Sequence, residues 1–142
     1  MKIKKFNTYR LVKGEDLNHH GTLFAGRSAE WFVESGFIAA SSSLNPKNLI
    51  CLKIHGMHFT KPVNPGEVIC FEAKHVYVGR SSIITYIKVF SEKQPEYVLV
   101  DGFITFVHVD ENTNPCPHNI TLEIENEYDF SLNKKASELL KK

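Results

Sequence analysis

With 142 residues, 42% of them hydrophobic, the chain has room for one domain with a real core and none for a second full domain. Seventeen Lys and Arg against sixteen Asp and Glu leave a formal net charge of +1, so no overall field favours nucleic acid or an anionic membrane, and any anionic ligand must be held locally. No run approaches the roughly 20 apolar residues that span a bilayer, and no apolar stretch follows the charged opening MKIKKFNTYR; the chain reads as an unexported, cytoplasmic protein.

An extended opening, Phe6 to Val12, leads into a polar turn, Lys13 to His20, containing Gly14, Asp16 and Asn18. From Thr22 to about Ser42 there is no proline, and Phe24, Trp31, Phe32, Phe37, Ile38, Ala39 and Ala40 recur on nearly every side of a helix. That pattern predicts a buried helix with Thr22 as its cap and Gly26 in its first turn, ended by Ser41 to Ser43 and Asn45-Pro46. Four strands are predicted next: roughly Leu49 to Phe59, Val68 to Val78, Ile83 to Phe90 and Tyr97 to Val109. The breaks between them, Pro62 to Gly66, Gly79 to Ser82 and Glu92 to Glu96, are short enough to make antiparallel neighbours. Alternation of Ile69, Phe71, Ala73 and of Ile83, Thr85, Ile87, Val89 suits a sheet with one face packed on the helix, an α+β layer pair. Cys51 and Cys70 fall inside apolar strand-like runs, where a reduced thiol acts as a small hydrophobe. Past Asp110 the composition turns to Asn, Pro, Glu and Lys. Residues 111–142 read as a polar extension after a domain at 1–110, with a short, mostly polar helix at Leu132 to Leu140.

Chemistry concentrates at Asn18 to Gly26, which runs straight into the helix carrying Arg27, Glu30 and Glu34. The first N–H groups of a helix lack internal partners and sit at the positive end of its dipole, so those near Ala25 and Gly26 can donate to a carbonyl oxygen gaining negative charge. A carboxylate on a buried helix is costly unless paired or used, and Glu34 lies among Phe32, Val33, Phe37 and Ile38, which makes it a candidate base. Arg27, Glu30 and Glu34 also share one helical face, so a solvated stripe or salt-bridge ladder fits the same spacing. Asn18 equally fits a plain turn residue. His55 and His58, three apart on a strand, would point to opposite faces and could not chelate one metal ion. Gly79-Arg80-Ser81-Ser82, at a strand-to-strand turn, gathers a guanidinium, two hydroxyls and backbone N–H groups suited to phosphate.

Asn18-His19-His20-Gly21-Thr22-Leu23-Phe24-Ala25-Gly26 resembles the Asn-x-x-Gly-x-x-Phe/His-Gly-Gly signature of hotdog acyl-CoA thioesterases. His55 to Val63, Gly66-Glu67-Val68, Gly79 to Ser82 and Gly102 to Asp110 resemble later segments of that family in the same order, so the likeness covers residues 7 to 110. The resemblance implies a five-stranded antiparallel sheet wrapped around one long helix. It also implies hydrolysis of acyl-CoA to free acid and coenzyme A, and self-association as a dimer, with tetramers or hexamers beyond it and active sites across the interface. It casts Asn18 as positioning substrate or water, the Ala25 and Gly26 amides as polarising the thioester carbonyl, and Gly79 to Ser82 as contacting the coenzyme's phosphates. No metal or redox cofactor is implied, coenzyme A being part of the substrate. The family's acid falls on Val33, and Glu34 is the next residue. A hotdog hydratase or dehydratase pairing His20 with Glu34, and a non-catalytic acyl-CoA binder, are the competing readings.

Overall fold

In the computed structural model, which describes residues 1–140, the chain lays down β1 (Phe6–Leu11), α1 (Ala25–Ala40), β2 (Leu49–His55), β3 (Val68–Val78), β4 (Ser82–Ser91), β5 (Val100–His108) and α2 (Glu127–Leu139). The strands form one antiparallel sheet in the order β1-β3-β4-β5-β2, and α1 packs along its inner face. The period-two alternation seen in the sequence is the reason. Ile69, Phe71 and Ala73 of β3 and Ile83, Ile87 and Val89 of β4 turn inward with Ile104 and Phe106 of β5, and meet Trp31, Phe32, Ala39 and Ala40 of α1. Phe32, Phe71 and Phe106 are wholly buried, each side chain contributing about 1.5–3 kcal/mol of transfer free energy. Gly36 lets the helix lie close: a Cβ there would stand 3.0 Å from Ile104 Cδ1 and 3.1 Å from Ile87 Cδ1.

Several boundaries differ from the sequence reading. The helix starts at Ala25, with Phe24 at its cap position making no side-chain cap bond, because Thr22 is engaged by Asn18 instead. Strand β2 stops at His55 because Gly56 takes a φ of +73°, so His58 lies in the following loop rather than on a strand. Cys70 is buried as expected, whereas Cys51 is exposed, because β2 is an edge strand paired only with β5.

The tail is part of the packed structure. Asn126 caps α2 by accepting the Asp129 amide at 2.8 Å, so the helix begins five residues before the expected Leu132. Leu132 and Ala136 are buried against Val76, Ile84 and Tyr86 on the outer face of the sheet, and Asn133 Nδ2 donates to the Val76 carbonyl at 2.8 Å. An ion pair of 2.5 Å joins buried Lys74 to buried Asp129. Alternation carries Val76 onto the same outer face as Lys74, and the bulge between His75 and Tyr77 adds Tyr77 to that face. The last two positions of the predicted extension, 141 and 142, lie outside the described residues.

Candidate active site

The loop before α1 is built around two side chains. Asp16 is buried, and its carboxylate accepts the Lys13 amide at 2.9 Å and faces Lys13 Nζ and Arg27 Nε, each at 3.6 Å. The Lys13 amide and the two cations hold its carboxyl below the usual range, against the opposing effect of burial. Its own carbonyl accepts the Phe24 amide at 2.8 Å and so sets the chain's entry into the helix. Asn18 Oδ1 accepts the amides of His20 (2.8 Å) and Thr22 (3.2 Å), and Asn18 Nδ2 donates to Thr22 Oγ1 at 3.2 Å. Gly21, at φ +76°, makes the reversal that these bonds require. Asn18 is thus the organiser of its own loop, with its carbonyl oxygen committed to two amides.

That loop leaves the first turn of α1 bare. The Arg27 and Ser28 amides both bond back to the Phe24 carbonyl, while those of Ala25 and Gly26 have no carbonyl partner among the described residues. Ala25 and Ser28, one helical turn apart, line a cavity of about 410 Å³. Asn18, His20 and Thr22 also face it, and its remaining walls include Val63, Ile69, Val89 and Leu99. An apolar chamber opening beside unpaired helix-start amides can hold a hydrocarbon and polarise a carbonyl at its mouth.

The other expected residues are placed elsewhere. Glu34 is not buried, as the run of apolar neighbours suggested. Its side chain is 58% exposed and bonded to Arg10 of β1, Nη2 to Oε1 2.7 Å. Of its apolar neighbours, Phe32 is fully buried and Val33 and Phe37 are partly so, while Ile38, one turn on from Glu34, is itself exposed. No ladder runs along the helix, since Arg27 pairs with Asp16 and Glu34 with Arg10. Nine residues past Ala25, Glu34 lies about 13 Å further along the axis and half a turn round, outside the cavity that holds His20 and Ala25. Acid and amides of one chain therefore do not converge on one carbonyl. Gly79 to Ser82 lies at the far end of β3 from the cavity wall at Ile69, a span of about 30 Å at the usual strand rise. There the Gly79 amide donates to the Ser82 carbonyl, and the carbonyls of Arg80, Ser81 and Ser82 accept from His118 N, His108 N and His118 Nε2. The side chain of Arg80 is left exposed. Among the described residues no three His, Cys, Asp or Glu side chains are grouped to hold a metal ion.

Residues 20–98 match the family model of the thioesterase superfamily, a stretch that contains α1, β2, β3, β4 and most of the cavity lining. The chain belongs to the thioesterase superfamily. An uncharacterized acyl-CoA thioester hydrolase of Haemophilus influenzae is 31% identical over 123 residues, 80% of this chain and 79% of that protein. The uncharacterized acyl-CoA thioester hydrolase YkhA of Bacillus subtilis is 28% identical over 105 residues, covering 72% of this chain but only 60% of its own length. Among solved structures, an apo-hexameric acyl-CoA thioesterase superposes with a TM-score of 0.82 at 26% identity over 94% of this chain and 86% of that one. An acyl-CoA hydrolase from Bacillus cereus reaches 0.85 at 24% identity over 95% and 83%, a likeness of fold. The five-stranded sheet around one long helix is the hotdog arrangement that the motifs implied, and α2 lies on the opposite side of that sheet.

Proposed function

We propose that this chain is an acyl-CoA thioesterase that works as a self-associated assembly, each site combining the helix-start amides of one protomer with Glu34 of another. The observation that carries this reading is the apolar cavity opening beside the unpartnered amides of Ala25 and Gly26, in a chain of thioesterase ancestry whose relatives are named acyl-CoA thioester hydrolases. With the thioester carbonyl at those amides, charge developing on its oxygen meets N–H donors and the positive end of the helix dipole. Glu34 then takes a proton from water as the water attacks the carbonyl carbon, and as the C–S bond breaks the protonated Glu34 returns it to the departing sulfur, so that coenzyme A leaves as the thiol. Held by Arg10, the carboxylate faces outward, where a second copy can present its cavity. Self-association is supported by β2, an edge strand whose Ile50, Leu52 and Ile54 are exposed, Leu52 at 67%; such an edge is a template for pairing. Hexameric assembly is named for solved relatives. The turn at Gly79 to Ser82, remote from its own cavity, is suited to hold the phosphates of a coenzyme A seated on a neighbouring protomer, with Arg80 as the cation.

Thiol release from a panel of acyl-CoAs, followed with a thiol-reactive dye, tests the reaction; absence of release from every ester overturns it. Glu34→Gln should lower turnover by about two to four orders of magnitude, the usual worth of a general base. Mixing Glu34→Gln with Asn18→Ala tests the shared site. Neither variant alone should be active, and the mixture should recover activity, because one chain keeps a sound cavity and the other keeps its acid. No recovery after subunit exchange places both groups on one chain. Arg80→Ala should raise the Michaelis constant for coenzyme A esters, and an unchanged value removes the phosphate role.

A further inference from the structure

A second cavity, of about 250 Å³, lies at the far end of α1 from the helix-start amides. Its innermost lining residue is His75 of β3, which is wholly buried and has no well-formed hydrogen bond on either ring nitrogen. Buried polar side chains nearly always find a partner in protein, water or ligand, and here the Thr85 hydroxyl, opposite His75 in the ladder, is unpartnered too. The rim carries Ser42 and Ser43, which follow α1, and Lys2 and Lys4, which precede β1. Among the described residues Ser42 Oγ makes no hydrogen bond, and Ser43 Oγ has only a weak acceptor, Met1 Sδ at 3.4 Å. Lys4 Nζ has no carboxylate partner among them and stands 5.2 Å from the centroid of the Phe6 ring.

The uncommitted groups around this cavity are mostly donors. Burial lowers the pKa of His75 and keeps its imidazole neutral, with one N–H to give and one nitrogen to accept. Both hydroxyls can donate, and the Lys4 ammonium adds N–H bonds and a full charge. Lys2 is offset by Glu125 at 3.8 Å, and the last carbonyls of α1 contribute about half a negative charge. Two ammoniums therefore outweigh the opposing charge, and the field in the cavity is positive. The donors come from three directions: the strand beneath, the segment after the helix and the segment before β1. Such a surround suits a tetrahedral oxyanion, with three strong acceptor oxygens, better than the two coplanar oxygens of a carboxylate.

We propose that this cavity binds a small phosphate, either inorganic phosphate or the phosphate end of a compact monoester, with Lys4, Ser42 and Ser43 holding its outer oxygens and His75 meeting the innermost one. The inference is independent of the thioesterase reading, because none of these residues enters that chemistry.

The test uses the full chain with isotope-labelled histidine, titrated with potassium phosphate in place of potassium chloride at constant ionic strength and pH. Proton–nitrogen spectra of the imidazole rings, with His75 assigned by its loss in His75→Leu, should show a saturable shift at His75, half complete at about 5 mM or less. Lys4→Gln and Ser42→Ala, both on the rim, should each raise that midpoint about fivefold or more, with thermal melts confirming that the variants fold. Glycerol phosphate in the same titration separates the two sources. A lower midpoint than that of inorganic phosphate assigns the site to a monoester, and a higher one to the free ion. No saturable shift by about 50 mM of either overturns the proposal, as does a shift shared equally by the other histidines. Acetate acting as well as phosphate, or midpoints unchanged in both rim variants, overturns it too. Coenzyme A is the control for the turn at Gly79: a His75 shift with coenzyme A but not with either small phosphate also overturns it.

Discussion

Arg10 of β1 and Glu34 of α1 meet as Nη2 and Oε1 at 2.7 Å, and the same guanidinium stands over the ring of Trp31, 5.3 Å from its centroid. Trp31 is one helical turn before Glu34, so a single side chain from the sheet edge spans both residues and fixes the direction of the carboxylate. The pair is partly exposed, Arg10 39% and Glu34 58%, which keeps its worth to stability in the range of about 0–1 kcal/mol.

The first prediction separates those two roles. Arg10→Met should lower kcat by about tenfold, since the carboxylate loses its orientation, while the melting temperature moves by no more than about 4 °C. Thiol-release kinetics and a thermal melt on the same preparation read both. A kcat equal to that of the unaltered protein means that Glu34 needs no partner, or is not the base.

Acid stability should depend on His75. This residue is fully buried beneath α1, its ring nitrogens without a well-formed hydrogen bond, opposite Thr85, whose hydroxyl is also unpartnered. Burial pushes its pKa down, the Ala40 carbonyl opposes that, and His118 adds to the lowering. A lowered folded value means that the unfolded chain binds the proton more readily. Stability is therefore full above the unfolded value of about 6.5 and declines as pH falls through the folded value. His75→Leu should flatten the decline between about pH 6.5 and 5 and leave stability at pH 8 equal or higher, because the orphaned nitrogens are gone. Urea midpoints against pH provide the measurement; an unchanged pH slope in the variant shows that other groups govern acid unfolding.

The Lys74 and Asp129 pair should behave as an all-or-none unit. Both are buried, and the Lys74 ammonium also stands 4.7 Å from the Tyr128 ring centroid. Lys74→Met alone leaves Asp129 charged and enclosed, at a cost of about 3–5 kcal/mol, and adding Asp129→Asn should recover much of it. Asparagine preserves a polar side chain beside Asn126. Denaturation of the single and double variants gives the coupling energy, and additive losses would show that the two residues act independently.

Thiol labelling reports on edge and core together. The Cys70 thiol is pushed up to about 11 by burial and by Glu92, while Cys51 lies open on β2. At pH 7.5 iodoacetamide should therefore spare Cys70 in the folded protein and modify it in denaturant. Cys51 should react faster on dilution, as paired β2 edges separate. Mass spectrometry of peptides resolves each site, and Cys51 reactivity independent of protein concentration argues against pairing along this strand.

The sheet was readable in the sequence because alternation at Ile69, Phe71, Ala73 and at Ile83 to Val89 can satisfy only one inward face. The helix was readable because its apolar residues surround it, yet that same feature misled over Glu34. An apolar neighbour in sequence is not a neighbour in space when each step turns by about 100°. The amides of Ala25 and Gly26 could be located from the loop motif alone, since any helix start is bare. Their cavity could not, because Ile69, Val89 and Leu99 reach it only after β3, β4 and the approach to β5 have paired. Nothing in the sequence marked Asp129 as the partner of Lys74, because the two lie 55 residues apart and meet only once α2 has docked.

The position of α2 has a practical consequence. A chain trimmed after Asp110 to a tidier catalytic unit would lay open Val76, Ile84 and Tyr86 and strand the Lys74 ammonium on a greasy surface. The shortened protein would become adhesive rather than minimal, and expression of the full tail is the safer route to soluble material.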